Sequence, residues 1–197
     1  MSGGPRGRLA VAALALAGCS GGPAFRFYQD PAGEYSLEVP KGWTTYTNIG
    51  TAGQKPVTFV LFVGEEEPKD GAQFLGAYFA VYKYYVDRKD HPGNDQDFQR
   101  HIEANVLPAH ALFKVEAAEV SSSTVAGLPA RSYRRPFLYR RTSEDGREWG
   151  LPMKVEHWVI SRGRAFFVLE YRANARSFPR HLAAFERARA TLRFYGP

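Results

Sequence analysis

Residues 154–173 read KVEHWVISRGRAFFVLEYRA, two apolar-rich runs hinged on Arg162-Gly163. Runs rich in β-branched and aromatic residues on either side of a glycine-containing dipeptide form a β-hairpin. Directly after it, residues 177–192 (SFPRHLAAFERARATL) change period. Phe178, Leu182, Phe185 and Leu192 fall on one helical stripe, Ser177 stands where an N-cap belongs, and Pro179 lies in the first turn. A single apolar stripe needs a surface to cover, and the hairpin supplies one.

The same alternation continues towards the N-terminus. Residues 130–141 are strand-like with Tyr133, Phe137 and Tyr139 as anchors, and Asp145-Gly146 marks a hairpin turn before 154–161. Residues 115–125 alternate loosely and lead into Gly127-Leu128-Pro129. Residues 57–63 (VTFVLFV) read as a buried strand, and 76–86 as a longer one with Phe79 and Val81 on one face and Tyr78, Tyr82 and Tyr84 on the other. Tyr35, Leu37 and Val39 alternate with Ser36 and Glu38, and Pro40-Lys41-Gly42 would turn the chain into a partner strand at 43–47. A first helix is expected from Asn94 or Asp95, with Phe98, Ile102 and Val106 on one face and Pro108 at its end. Strands grouped in this way, with two helices, define an α+β protein: an antiparallel β-sheet with helices packed on it.

With 197 residues the chain fits one domain and can bury a large core without metals or disulfides. Its formal charge is +6, and Arg6 and Arg8 lie in the first eighteen residues, which leaves the remainder near +4. A mild basic excess suits an anionic membrane or an acidic polymer.

The start, MSGGPRGRLAVAALALAGC, has a basic region, an apolar run over 9–16, and the small residues Ala17 and Gly18. This is the three-part layout of a secretory signal, too short for a permanent span, which needs about 20 apolar residues. Leu16-Ala17-Gly18-Cys19 resembles the bacterial lipobox. That resemblance implies a diacylglyceryl group on Cys19 and cleavage between Gly18 and Cys19, and it gives the chain's one cysteine a purpose. Two acyl chains hold a protein firmly, at about 0.8 kcal/mol per buried CH₂. The expected organisation is a signal peptide over 1–18, lipidated Cys19 with a flexible tether over 19–24, and one domain over 25–197. Ser20 after the cysteine, in place of Asp, favours the outer membrane facing the periplasm if the cell is Gram-negative. Residues 20–24 (SGGPA) reach at most about 17 Å, so the domain would sit close to the bilayer. Export makes nucleic acid an unsuitable partner. The expected partners are the membrane, through Cys19, and an envelope protein or anionic polymer; the oligomeric state is left open.

Phe27-Tyr28-Gln29-Asp30 followed by Tyr35-Ser36-Leu37-Glu38-Val39-Pro40-Lys41-Gly42-Trp43 resembles the opening of PsbP-like and Mog1-like domains. Gly127-Leu128-Pro129-Ala130 is similar to their mid-domain turn, and Phe185 in the last helix to their late aromatic. The resemblance implies an α/β/α sandwich around an antiparallel sheet. It implies interaction or assembly roles and brings no shared catalytic motif.

The residues themselves offer few sites. Arg131, Arg134, Arg135, Arg140 and Arg141 are the densest charge cluster and could contact anionic headgroups or polymer, although strand parity sets Arg131, Arg135 and Arg141 against Arg134 and Arg140. Arginines covering a sheet face explain the same cluster. Asp97 and His101, four apart on the expected first helix, could begin a metal site, yet solvated side chains fit as well. There is no Gly-x-Ser-x-Gly elbow and no phosphate-binding Gly-rich loop, and Ser121-Ser122-Ser123 reads as a strand end or loop. The expectation is a non-catalytic interaction module with no cofactor. An envelope enzyme, or a protein binding a metal or small ligand, is the alternative.

Overall fold

The structure is a computed structural model that describes residues 24–48, 58–64, 76–85, 113–115, 119–142, 146–163 and 165–196. Eleven strands and one helix are described. They are β1 (Phe25–Gln29), β2 (Tyr35–Pro40), β3 (Thr44–Asn48), β4 (Thr58–Val63), β5 (Tyr78–Tyr85), β6 (Phe113–Val115), β7 (Glu119–Val125), β8 (Leu128–Thr142), β9 (Glu148–Arg162), β10 (Ala165–Asn174), α1 (Phe178–Thr191) and β11 (Arg193–Phe194).

They form two antiparallel sheets. The small one runs β1-β2-β11, and the large one runs β3-β4-β5-β10-β9-β8-β6, with β7 also paired to β8. The small sheet and α1 share one core with the near face of the large sheet. Leu37 and Val39 of β2, Phe62 of β4, Phe79 of β5, Ile160 of β9, Leu169 of β10 and Phe185 of α1 meet there, all essentially without solvent contact. Burying each such side chain contributes about 1.5–3 kcal/mol. The far face is buried too, around Tyr84, Tyr133, Phe166 and Val168. This is an α+β fold with antiparallel sheets. The expected first helix, over 94–107, lies outside the described residues.

The β9–β10 hairpin forms around Arg162-Gly163 as its sequence demands, and Gly163 takes the positive φ of 57° that the turn requires. The helix begins after Ser177, but the Ser177 side chain makes no cap hydrogen bond. Asn174 shapes the turn just before the helix: its Oδ1 accepts from the backbone N–H groups of Arg176 and Ser177 at 3.1 and 2.9 Å.

Two expectations change. The expected hairpin partner of β2 at 43–47 does not pair with it. β2 lies between β1 and β11, while β3 pairs with β4 in the other sheet. The turn at Pro40-Lys41-Gly42, closed by the Trp43 N–H to the Pro40 carbonyl at 3.1 Å, carries the chain from one sheet to the other. Trp43 is drawn inwards against Phe79, which commits the following residues to the large sheet.

β8 and β9 are also longer than the expected runs. Each has 15 residues, and Gly150 and Pro152 lie within β9. Pro152 is tolerated because pairing with β10 stops at Met153, so its missing N–H faces no strand. Its carbonyl instead accepts the Ala175 N–H at 2.8 Å.

The β7–β8 turn is tighter than its sequence suggests. Ala126 and Gly127 both have positive φ, 51° and 78°, which matches a two-residue type I′ hairpin. A Cβ in that region costs about 1 kcal/mol or more. Ala126→Asn supplies the favoured residue and is expected to raise stability by about 1 kcal/mol, read from urea unfolding midpoints at unchanged slope.

Candidate functional site

Strand register builds a groove beside the far edge of the large sheet. On the helix-covered face, Glu119 of β7 lies beside Arg134 of β8, and Arg134 beside Glu156 of β9. One step along, Ser121, Ser132 and Trp158 form the next row. Glu186 and Arg189 of α1 close the opposite wall, and the space between holds about 380 Å³. That falls at the small end of the range for ligand sites.

The floor is tightly bonded. Arg134 donates from Nε and Nη2 to Glu156 Oε2 at 2.8 and 2.5 Å, and the Trp158 indole N–H donates to Glu156 Oε1 at 2.6 Å. Both oxygens of this buried carboxylate are therefore held by donors. The Arg189 guanidinium lies 4.1 Å from the centre of a Trp158 ring, a close cation–π contact. Ser121 and Ser132 share a hydrogen bond at 2.7 Å between their hydroxyl oxygens.

The other face of the sheet carries a buried ionic cluster centred on Glu170 of β10. Its carboxylate accepts from Tyr78 Oη at 2.8 Å and His157 Nε2 at 2.7 Å, and pairs with Arg172 at 3.2 Å. Glu170 and His157 are wholly enclosed. Burial pushes the Glu170 carboxyl up, yet the Arg172 guanidinium, with His157 and Tyr78, overrides it and holds the group at about 2. Arg172 also lies over the rings of Tyr78 and Phe137 at 5.5 and 5.4 Å. Burial drives the Tyr78 and Tyr82 hydroxyls well above their usual range.

The residues singled out in the sequence are dispersed. Parity separates them as expected: Arg131 and Arg135 stand opposite Val159 and Val155 on the far face, Arg134 opposite Glu156 on the near one. Arg134 is exposed and paired with Glu156. Arg131 is half-buried over the Tyr133 ring at 6.0 Å. Arg135 is 5% exposed and so is withdrawn from any anionic surface, because it belongs to the buried face of a central strand. The backbones of Arg140 and Arg141 lie in β8 opposite Gly150 and Trp149, and their side chains fall outside the described residues. Gly18, Cys19, Asp97 and His101 also fall outside them. Ser121-Ser122-Ser123 is the middle of β7 and not a strand end. Tyr78 and Tyr84 are buried.

Neither Glu156 nor Glu170 stood out in the sequence. A signal existed for Glu170: it interrupts the apolar run AFFVLEY, where a charge must find buried partners.

The fold is that of a PsbP-like α+β domain. The chain is similar to cyanobacterial PsbP (CyanoP) from Synechocystis sp. PCC 6803, with a TM-score of 0.57 and 12% identity over 92% of this chain and 99% of that one. It also matches LpqN of Mycobacterium tuberculosis, described as involved in cell envelope biogenesis, with a TM-score of 0.47 and 14% identity over 87% and 92% of the two chains. A third match is the Ran-binding protein Mog1p of Saccharomyces cerevisiae, with a TM-score of 0.47 and 11% identity over 88% and 96%. No family model and no curated protein matches the sequence. At these identities the likeness carries the fold alone.

Proposed function

We propose that the protein is a cell-envelope lipoprotein, cut before Cys19 and held on a membrane by acyl chains there, which works through contacts with an envelope protein or anionic polymer and not by catalysis. The lipobox Leu16-Ala17-Gly18-Cys19, behind a basic and then apolar leader, carries the reading. The start of the domain is consistent with it. β1 opens at Phe25, so only residues 20–24 separate the lipid from the first strand. Phe27 on that strand is 62% exposed, the largest exposure among the large hydrophobic side chains described, and its place near the tether suits a side chain resting on a bilayer. Among the described residues, the groove beside α1 is a concave surface that a partner could enter. Glu156 there is braced on both oxygens, which suits a rigid binding wall better than a proton acceptor.

Cys19→Ala tests the anchor. The full chain is expected in the membrane fraction and labelled by a clickable palmitate analogue. The variant is expected to lose the label and its membrane retention. Equal membrane retention of the two chains, with no label on either, would overturn the proposal.

A further inference from the structure

We propose that two copies of the chain pair edge to edge through β7, antiparallel and centred on Ser122, to make one continuous sheet. Among the described residues β7 bonds only to β8, and residues 119–124 are all exposed. Edge strands are normally blunted by lysine, proline, a bulge or a covering element. β7, EVSSSTV, holds no lysine or proline and pairs with β8 without a bulge, its one charge is Glu119 at the first position, and Val120 stands 46% exposed.

The occupant follows from the strand's own pattern. With Ser122 opposite Ser122, the register sets Ser121 against Ser123, Val120 against Thr124, and Glu119 against Val125. Hydroxyl meets hydroxyl, β-branched meets β-branched, and the one charge of the strand never faces its copy. In a chain of net charge +6, this strand brings no positive charge of its own to the seam between two copies. Two-fold pairing uses the same β7 edge of each copy, so this contact closes at two copies instead of propagating.

The symmetry axis stands perpendicular to the sheet. It therefore keeps the β1-β2-β11 layer of both copies on one side. On the reading of Cys19 as the anchor, both tethers then leave towards the same bilayer. The pairing itself does not require the anchor.

Cysteine crosslinking of the full chain, in membranes and again in detergent, tests the register. Directly opposite residues of an antiparallel pair lie about 4.5–5.5 Å apart at Cα, within disulfide reach. Ser122→Cys is expected to form a dimer under mild oxidation. Ser121→Cys alone should be slower by about tenfold or more, because its nearest copy is displaced along the strand beyond the ~7 Å limit. A mixture of Ser121→Cys and Ser123→Cys chains should crosslink to each other. Ser122→Lys sets two cations face to face and should abolish the dimer in sedimentation runs without changing the circular dichroism. The unsubstituted chain controls for Cys19. Ser122→Cys crosslinking no faster than Ser121→Cys, whether or not its thiol reacts with maleimide, overturns the pairing. Crosslinking at Ser122 in a chain without lipid would leave the pairing standing and remove the anchor. Lipid on Cys19 with no Ser122 dimer would do the reverse.

Discussion

Replacing Glu170 with glutamine is expected to cost about 3–5 kcal/mol of folding stability at neutral pH. The side chain keeps its volume, so no cavity forms. What disappears is the negative charge that Arg172 pairs with at 3.2 Å and that accepts from His157 and Tyr78. Arg172 then stays charged on an enclosed sheet face without its counter-ion. The pH dependence gives a second reading. Glu170 ionises at about 2 when folded, against 4.5 for a free carboxyl. A carboxyl depressed in the folded state contributes stability above its unfolded value and loses it as pH falls. The contribution, about 3 kcal/mol, should be complete above pH ~5 and vanish progressively from pH ~4.5 down to ~2. Urea unfolding of the natural chain and Glu170→Gln should therefore show a wide gap at pH 7 that narrows towards pH 2–3. A gap independent of pH would mean that the carboxylate charge does not hold this cluster.

Gly64→Ala is expected to destabilise the protein by about 3 kcal/mol. Gly64 follows β4, and its N–H donates to the Ala77 carbonyl at 2.8 Å, which fixes the backbone there. A Cβ at this position would meet the Trp43 indole at 2.2–2.7 Å, far inside contact distance. The indole has nowhere easy to go, since it packs against Phe79 at 5.4 Å and His181 at 5.7 Å. Either Trp43 leaves the core or the turn that joins the two sheets shifts. Tryptophan fluorescence should show a red shift together with the lowered urea midpoint. Pairing Gly64→Ala with Trp43→Phe should recover part of the loss, because the smaller ring relieves the clash. A Gly64→Ala chain as stable as the natural one would contradict the packing at this turn.

These two sites show what the sequence conveys and what it withholds. Local rules place the β9–β10 hairpin at Arg162-Gly163 and the α1 stripe of Phe178, Phe185 and Leu192, because turn chemistry and periodicity are both local. The parity of Tyr78, Tyr82 and Tyr84 against Phe79 and Val81 follows for the same reason. The partner of β2 is not local. Nothing in 35–47 separates a hairpin from a crossing between sheets until Trp43 is seen in the core. The groove is equally hidden, since Glu119, Arg134, Glu156 and Arg189 are brought together only by register across three strands and by the helix docked on them. Arg135 shows the converse: a charge cluster in sequence is divided by strand parity, and one member is buried. The PsbP-like resemblance was visible in short structural motifs and is matched by the similarity to CyanoP.

Mass spectrometry of the N-terminal peptide from membrane-extracted protein tests the tethering most directly. A peptide that begins at Cys19 and carries the mass of a diacylglyceryl group, with or without a further acyl chain, is the expected result. A mature chain beginning at another residue, or a Cys19 sulfur free of lipid, would contradict it.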